Sequence, residues 1–137
     1  MKQVWLADTG PLVAYLDRKD QHHAWSKAWF MRFTGPLLTC EAVVAEALFL
    51  LHRGGICPDA LLQLITRGVL LPEFSLKDEA NPVATLIARY RNVPMSLADA
   101  CLVRMVDLND QATVFTLDSD FTIYRKSNRR VINVLTP

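Results

Sequence analysis

The sequence predicts an α/β domain built around a mainly parallel β-sheet. Short apolar runs alternate with longer segments of helical periodicity along the chain, and hydrophobic residues make up 51% of it. This alternation is typical of parallel sheets, because each parallel connection needs a crossover that is usually a helix. The length of 137 residues suits a single packed core, so we expect one domain over residues 1–137.

The elements of the first half have clear boundaries. Residues 4–7 are an apolar run, and Asp8, Thr9 and Pro11 then predict a helix start, because Asp and Thr cap helices and Pro fits the first turn. That helix extends to about residue 16, and apolar residues at helical spacing predict another over 22–33. Gly35 and Pro36 break the pattern before a strand at 37–39 and a helix at 40–52, which two glycines end.

The second half repeats the alternation. Pro58 fits the first turn of a helix that reaches about residue 67, and the apolar run 69–71 predicts the third strand. Residues 76–91 are expected to be helical, with Pro82 near the start or at a kink, and a helix at 97–108 follows. Residues 113–116 predict a fourth strand and residues 131–134 a weaker fifth, so we expect four to five strands.

Composition excludes several classes of protein. Fifteen basic and fourteen acidic residues leave a net charge of +1, which excludes a globally basic nucleic-acid coat but permits local patches. The three cysteines lack CxxC spacing and favour reduced thiols over a disulfide framework or a zinc site. No apolar run reaches the roughly 18 residues of a membrane span, and the first residues do not resemble a signal peptide. We therefore expect a cytoplasmic protein without membrane association.

Two acidic residues lie where predicted strands end. Asp8 directly follows the first strand, and Asp118 follows the fourth by two residues. Functional sites of open α/β sheets form at the carboxyl ends of strands. A purely structural interpretation also exists, with Asp8 as a helix cap and Asp118 and Asp120 as turn residues.

Two further acidic residues lie on apolar faces of predicted helices. The neighbours of Glu46 at helical spacing are all apolar, and so are those of Asp99 on its C-terminal side. A carboxylate on a buried face needs a partner. Glu46 has the alternatives of pairing with Arg53 or of extending to the edge of the apolar stripe. Asp99 has the alternative of completing a capping box with Ser96.

These acids together predict a metal site if they meet at one edge of the sheet. Clustered carboxylates repel one another, and a hard divalent cation such as Mg²⁺ supplies the missing charge and prefers oxygen ligands. Such a site suits metal-assisted hydrolysis of a phosphodiester. Two alternatives stay open: a Mg²⁺-dependent phosphatase that uses Asp8 as nucleophile, and a non-catalytic RNA-binding or scaffold protein whose acids are structural caps.

Residues 121–131 form a basic segment without an acid. Its basic residues are suited to holding a phosphate backbone by counterion release, and the adjacent Tyr124 is a candidate for stacking on a base. A solvated surface loop explains the charges equally well. The candidate nucleic-acid-binding residues are Tyr124, Arg125, Lys126, Arg129 and Arg130.

Four segments in order resemble the motifs of the PIN-domain family of ribonucleases, and most of all its small VapC-type toxins from prokaryotic toxin–antitoxin pairs. They are LADTGPLVAYLD, TCEAVVAEALFLL, PMSLADACLVRMVDL and VFTLDSDFTIYR, and the likeness extends from about residue 4 to residue 125. The resemblance implies a PIN-like three-layer α/β/α fold with a Mg²⁺ or Mn²⁺ site that cleaves single-stranded RNA. It also implies a homodimer and a cognate antitoxin.

The resemblance further implies a role for each acidic residue. The family's acids fall on Asp8, Glu46, Asp99 and Asp118 as catalytic residues, of which Asp8, Asp99 and Asp118 are expected to hold the metal. The expected accessory residues are Thr9, Thr116 and Asp120, and Thr116 is expected to orient a carboxylate. Because the family uses either or both of the late acids, the choice between Asp118 and Asp120 stays open, with Asp118 favoured.

Overall fold

The computed structural model describes residues 3–137 and centres on a five-stranded parallel sheet. Its strands lie in the order β3-β2-β1-β4-β5, and every pairing is parallel. In chain order they are β1 (Val4–Ala7), β2 (Leu37–Leu38), β3 (Leu70–Leu71), β4 (Ala112–Phe115) and β5 (Val134–Leu135). The predicted α/β class with a parallel sheet is confirmed.

Within the described residues 3–137, six α-helices flank this sheet. They are α1 (Thr9–Leu16), α2 (His23–Arg32), α3 (Glu41–Arg53), α4 (Asp59–Thr66), α5 (Leu76–Arg89) and α6 (Leu97–Leu108). The bounds of α6 agree with those predicted, because Ser96 caps its start and accepts a hydrogen bond from the backbone N–H of Asp99 at 3.0 Å. Among residues 3–137, none of the helices combines the length and the hydrophobicity that a membrane span requires.

The central strands β1 and β4 bring the two halves of the chain together. They pair in register from Val4 opposite Ala112 to Ala7 opposite Phe115. Leu6, Ala7 and Phe115 are buried, because helices cover both faces of a parallel sheet. The backbone N–H of Asp8 continues the ladder by donating to the carbonyl of Phe115 at 3.0 Å. The residues that follow β1 and β4 therefore emerge side by side.

A proline kinks α5, as predicted. Glu79 leaves helical geometry, with φ −108° and ψ 15°, three residues before Pro82. Proline lacks the N–H that would bond to the preceding turn, and its ring crowds that turn. The kinked segment is held to α6 by an ion pair of 2.8 Å between Arg104 and Glu79.

Most boundaries agree with the predictions to within one or two residues, and the start of the last strand differs most. The last strand begins at Val134 rather than at residue 131, since Val131 instead forms an isolated antiparallel bridge with Arg125. Helix α5 ends at Arg89 rather than at residue 91. Cys57 is exposed, unlike the other two cysteines, because it lies in the loop before α4.

Candidate metal centre

The carboxyl edge of the sheet encloses a cavity of about 580 Å³ with an acidic lining. None of its lining residues within the described part of the chain, 3–137, is basic. The sequence-predicted acids meet here, since the lining includes Asp8, Glu46, Asp99, Asp118 and Asp120. We call this space the acidic cavity.

Asp8 is the most tightly held of these acids. It caps α1, where its Oδ1 accepts a hydrogen bond from the backbone N–H of Thr9 at 2.8 Å. Its Oδ2 accepts one from the hydroxyl of Thr116 at 2.7 Å. Only 5% of Asp8 is exposed, and this burial raises its pKa from 3.8 to about 6, against the opposing effect of the two hydrogen bonds. The charges of Asp99 and Asp118 add to the rise.

Glu46 lies at the mouth of the cavity rather than on a buried face. It is exposed, and its Oε2 accepts a hydrogen bond from the hydroxyl of Thr9 at 2.7 Å. The expectation of a buried position is wrong, because its apolar neighbours Phe49 and Leu50 are themselves 58% and 38% exposed. The suggested pairing with Arg53 is wrong too, since that guanidinium lies over the ring of Phe49, 5.7 Å from its centroid.

Asp99 lies in the first turn of α6 and combines the two roles considered for it. Its backbone N–H is capped by Ser96, while its side chain is only 8% exposed and reaches the cavity. Its Oδ2 accepts a hydrogen bond from the hydroxyl of Tyr124 at 2.8 Å. Burial raises the pKa of Asp99, and the charge of Asp118 raises it further.

Tyr124 supports the cavity from within the core. The proposal that its ring stacks on a base is wrong, because the residue is fully buried. It packs edge-to-face against Tyr90 and Phe121, at centroid distances of 5.1 and 5.3 Å. A polar residue beside a basic run gives no sign of burial, and only the spacing of Phe121 and Tyr124, three positions apart, hints that both face inward.

The loop after β4 presents the last two acids. Thr116 accepts the backbone N–H of Asp118 at 2.9 Å, and Asp118 Oδ1 accepts that of Asp120 at 2.9 Å, where it caps a short 3₁₀ helix, Ser119–Thr122. As a result, Asp99, Asp118 and Asp120 each present a carboxylate oxygen within 4.8 Å of the others. This close set contains Asp120 in place of Asp8, whose two oxygens are already engaged by Thr9 and Thr116.

The arrangement fits a divalent cation. Three carboxylate oxygens at this separation, beside an Asp8 whose pKa burial has raised, form a site that positive charge would stabilise. Oxygen donors of this kind are the ligands that Mg²⁺ and Mn²⁺ prefer. A phosphatase with Asp8 as nucleophile fits less well, because Asp8 is buried and no lysine of the described chain lines the cavity.

The predicted basic residues lie outside the acidic cavity. Arg125, Lys126 and Arg129 line a second cavity, which Arg130 does not. Arg89, the last residue of α5, lines it as well. The position of Arg89 beside this cavity could not be predicted from the sequence, because α5 and the loop that carries Arg125 and Arg129 are brought together only by folding.

Replacing Thr116 by Val should weaken metal binding without creating a void in the core. The substitution keeps the shape but removes the hydroxyl that joins Asp8 to the N–H of Asp118. We expect a loss of about 1–3 kcal/mol in the free energy of unfolding and a 10- to 100-fold loss, roughly, in affinity for Mn²⁺. Denaturant unfolding and calorimetric titration measure the two effects. Thr116→Ser keeps the hydroxyl and should retain most of the affinity; an equal loss in both variants would contradict the role of the hydroxyl.

Comparison with known proteins agrees with this fold. The family model of the PIN domain matches residues 6–127, most of the chain. The structure is similar to that of VapC20 of Mycobacterium tuberculosis, a toxin that cleaves the sarcin–ricin loop, with a TM-score of 0.75 and 20% sequence identity. The similarity covers 87% of this chain and 93% of that chain. No curated protein matches the sequence. On the match to the family model, this chain belongs to the PIN-domain family.

Proposed function

We propose that this chain is a metal-dependent endoribonuclease that hydrolyses phosphodiester bonds of single-stranded RNA. The observation that carries the proposal is the convergence of Asp99, Asp118 and Asp120 to within 4.8 Å in a cavity that Asp8 and Glu46 also line. Membership of the PIN-domain family and the likeness to a VapC toxin support the choice of RNA as substrate. By the same likeness, the chain is the toxin of a type II toxin–antitoxin module, a cytoplasmic homodimer inhibited by a cognate antitoxin.

The three close carboxylates are proposed to hold Mg²⁺ or Mn²⁺, with Asp8 beside them. A bound cation would lower the pKa of a water molecule and offset charge on the scissile phosphate. Asp8, kept in one orientation by Thr9 and Thr116, would accept a hydrogen bond from the attacking water. Glu46, oriented by the hydroxyl of Thr9, borders the mouth through which the RNA enters. Hydrolysis of this kind leaves 5′-phosphate and 3′-hydroxyl ends.

Cleavage of RNA by the purified protein tests the proposal. Labelled tRNA, mRNA and an oligonucleotide containing the sarcin–ricin loop are incubated with Mg²⁺, with Mn²⁺ or with excess EDTA. We expect cleavage with either metal, none in EDTA, and recovery when Mn²⁺ is added back in excess. Cleavage that persists in EDTA would contradict metal dependence. Binding of RNA without cleavage under any condition would favour the non-catalytic alternative.

The toxin assignment needs its own test. We expect expression of the chain to stop growth of the host cell, and co-expression of a small neighbouring gene to restore it. The neighbour's product should co-purify with the chain and suppress cleavage. Unimpaired growth at a high level of folded protein would contradict the toxin role, while leaving the nuclease activity to the experiment above.

A further inference from the structure

The second cavity differs from the acidic one in charge. It has a volume of about 450 Å³, and four of its six lining residues are basic. No acid lines it within the described residues, and the ion pair between Arg104 and Glu79 is the one salt bridge within 3–137. None of the four basic side chains is therefore neutralised by a carboxylate. The lining consists of Arg89, Tyr90, Arg125, Lys126, Ser127 and Arg129. We call it the basic cavity.

The loop that forms the basic cavity is held in one conformation. Arg125 bridges to Val131, and the backbone N–H of Lys126 donates to the carbonyl of Arg130 at 3.0 Å. The N–H of Ser127 donates to the carboxylate of Asp107 on α6 at 2.7 Å. The backbone of a loop fixed at both its base and its tip is ordered before any ligand arrives, so less backbone entropy is lost on binding.

Arg129 occupies a backbone conformation that favours glycine. Its φ is 68°, and no other non-glycine residue within 3–137 has a positive φ. A side chain in this left-handed region costs free energy that glycine would avoid. The residue also donates its N–H to the carbonyl of Lys126 at 2.8 Å, a turn that glycine would form as well. Strain of this kind is frequent at functional sites, so Arg129 is a candidate for a functional side chain.

The acidic and basic cavities share a wall. The hydroxyl of Tyr124 donates to Asp99 in the acidic cavity, and Arg125, the next residue, lines the basic one. Tyr90, which packs against Tyr124, accepts the backbone N–H of Arg125 at 2.9 Å and also lines the basic cavity. The Tyr90–Tyr124 pair therefore places the basic cavity next to the acidic one.

We infer that the basic cavity is a phosphate-binding subsite that holds the RNA backbone beside the scissile bond, with Arg89 and Arg129 as its main contacts. The inference rests on the proposed function for the identity of the polyanion. Arg125 is less suited to this role, because its NH1 donates to three carbonyls at the end of the 3₁₀ helix, those of Thr122, Ile123 and Tyr124. One guanidinium group can donate two parallel hydrogen bonds to a phosphate, and both Arg89 and Arg129 line this cavity.

Binding of single-stranded RNA in EDTA tests the inference apart from catalysis. A fluorescent 12-nucleotide RNA is titrated with the unmodified protein and with Arg129→Gln at several salt concentrations. Loss of one phosphate contact should weaken binding several-fold and reduce the slope of log K against log salt by about 0.7. Arg89→Gln should have a similar effect, and the reduction in slope should be about twice as large in the double variant as in either single variant. Unchanged affinity and slope in both single variants would overturn the inference.

A matched control separates the cavity from general charge. Arg67 is exposed and follows α4, which packs on β3 at the opposite edge of the sheet. Arg67→Gln changes the net charge equally, and we expect it to leave the slope unchanged. A slope reduced as much by Arg67→Gln as by Arg129→Gln would show general electrostatic attraction only and overturn the subsite.

Replacing Arg129 by Gly tests whether the arginine serves the fold instead. Glycine adopts φ 68° without strain, so Tm should stay the same or rise while RNA affinity falls as in Arg129→Gln. A marked fall in Tm would show that the side chain holds the loop together and would overturn the inference.

Binding of poly-glutamate tests another class of ligand. If poly-glutamate binding depends on Arg129 and RNA binding does not, the ligand is an acidic polypeptide and the inference is overturned. A protein that binds RNA through Arg129 yet cleaves none would refute the proposed nuclease and keep the subsite.

Discussion

Replacing Asp99 by Asn is expected to reduce RNA cleavage about 10³-fold while leaving the chain folded. The variant loses one negative charge from the close set formed with Asp118 and Asp120. The amide oxygen can still accept the hydrogen bond from Tyr124, and the backbone cap by Ser96 is unaffected. Because burial raises the pKa of Asp99, loss of its charge should leave Tm unchanged or slightly raised.

The rate of cleavage with Mn²⁺ and a thermal unfolding curve check this result together. Asp110→Asn is a matched control, since Asp110 is exposed at the amino end of β4, the opposite end of the strand from the site. The control should cleave RNA at the unmodified rate. Equal activity in Asp99→Asn and the unmodified protein would contradict the site, or reveal a contaminating ribonuclease that a mock purification detects. If the variant loses both activity and part of its fold, Mn²⁺ titration of the fraction that remains folded shows whether the metal site itself is weakened.

The apo protein should lose stability as the pH rises from about 4 to about 6. In this range folded Asp8, with a pKa of about 6, keeps a proton that the unfolded chain, with a pKa of 3.8, has released. The folded state then binds more protons, so the free energy of unfolding falls as pH rises and levels off above the folded pKa. At about 1.36 kcal/mol for each pH unit between the two pKa values, the loss due to Asp8 is about 3 kcal/mol.

Urea unfolding in EDTA at pH 4, 5, 6 and 7 measures this change. Other carboxyl groups also titrate here, so the decisive quantity is the difference between the unmodified protein and Asp8→Asn. Relative to the unmodified protein, we expect Asp8→Asn to have a higher free energy of unfolding at pH 7 than at pH 4. A difference that does not change with pH would refute the destabilisation by buried Asp8. Addition of Mn²⁺ at 100 times its Kd should stabilise the unmodified protein by about 2.7 kcal/mol at pH 7. The same addition should stabilise the variant less.

Burial of Asp8 in the acidic cavity reduces the stability of the fold, and a purely structural cap would not need this burial. The hydrogen bonds from Thr9 and Thr116 lower the pKa of Asp8, but burial has the larger effect and leaves the net shift upward. Burial likewise raises the pKa of Asp99. A structural cap gains nothing from such burial, because an exposed Asp at the start of a helix satisfies the same N–H groups. The excess charge is consistent with a site that functions with a cation bound.

The sequence alone determined those features that depend on neighbours along the chain. Apolar runs of strand length, helix caps such as Ser96 and helix breakers such as Pro82 act within a few residues, so the order of elements and the bounds of α6 could be predicted. The positions of Asp8 and Asp118 after two strands followed from the general rule for parallel sheets.

The burial of individual side chains and the composition of the carboxylate set depend on contacts between distant segments, which only the folded structure reveals. It buried Tyr124 against Asp99, left Glu46 exposed, and placed Asp120 in the close carboxylate set while Asp8 bonds to Thr116. It also brought Arg89 beside a loop about forty positions further along the chain. These outcomes depend on which helix face packs where, and a pattern of residue types does not contain that information, since an exposed and a buried carboxylate can occupy the same helical spacing.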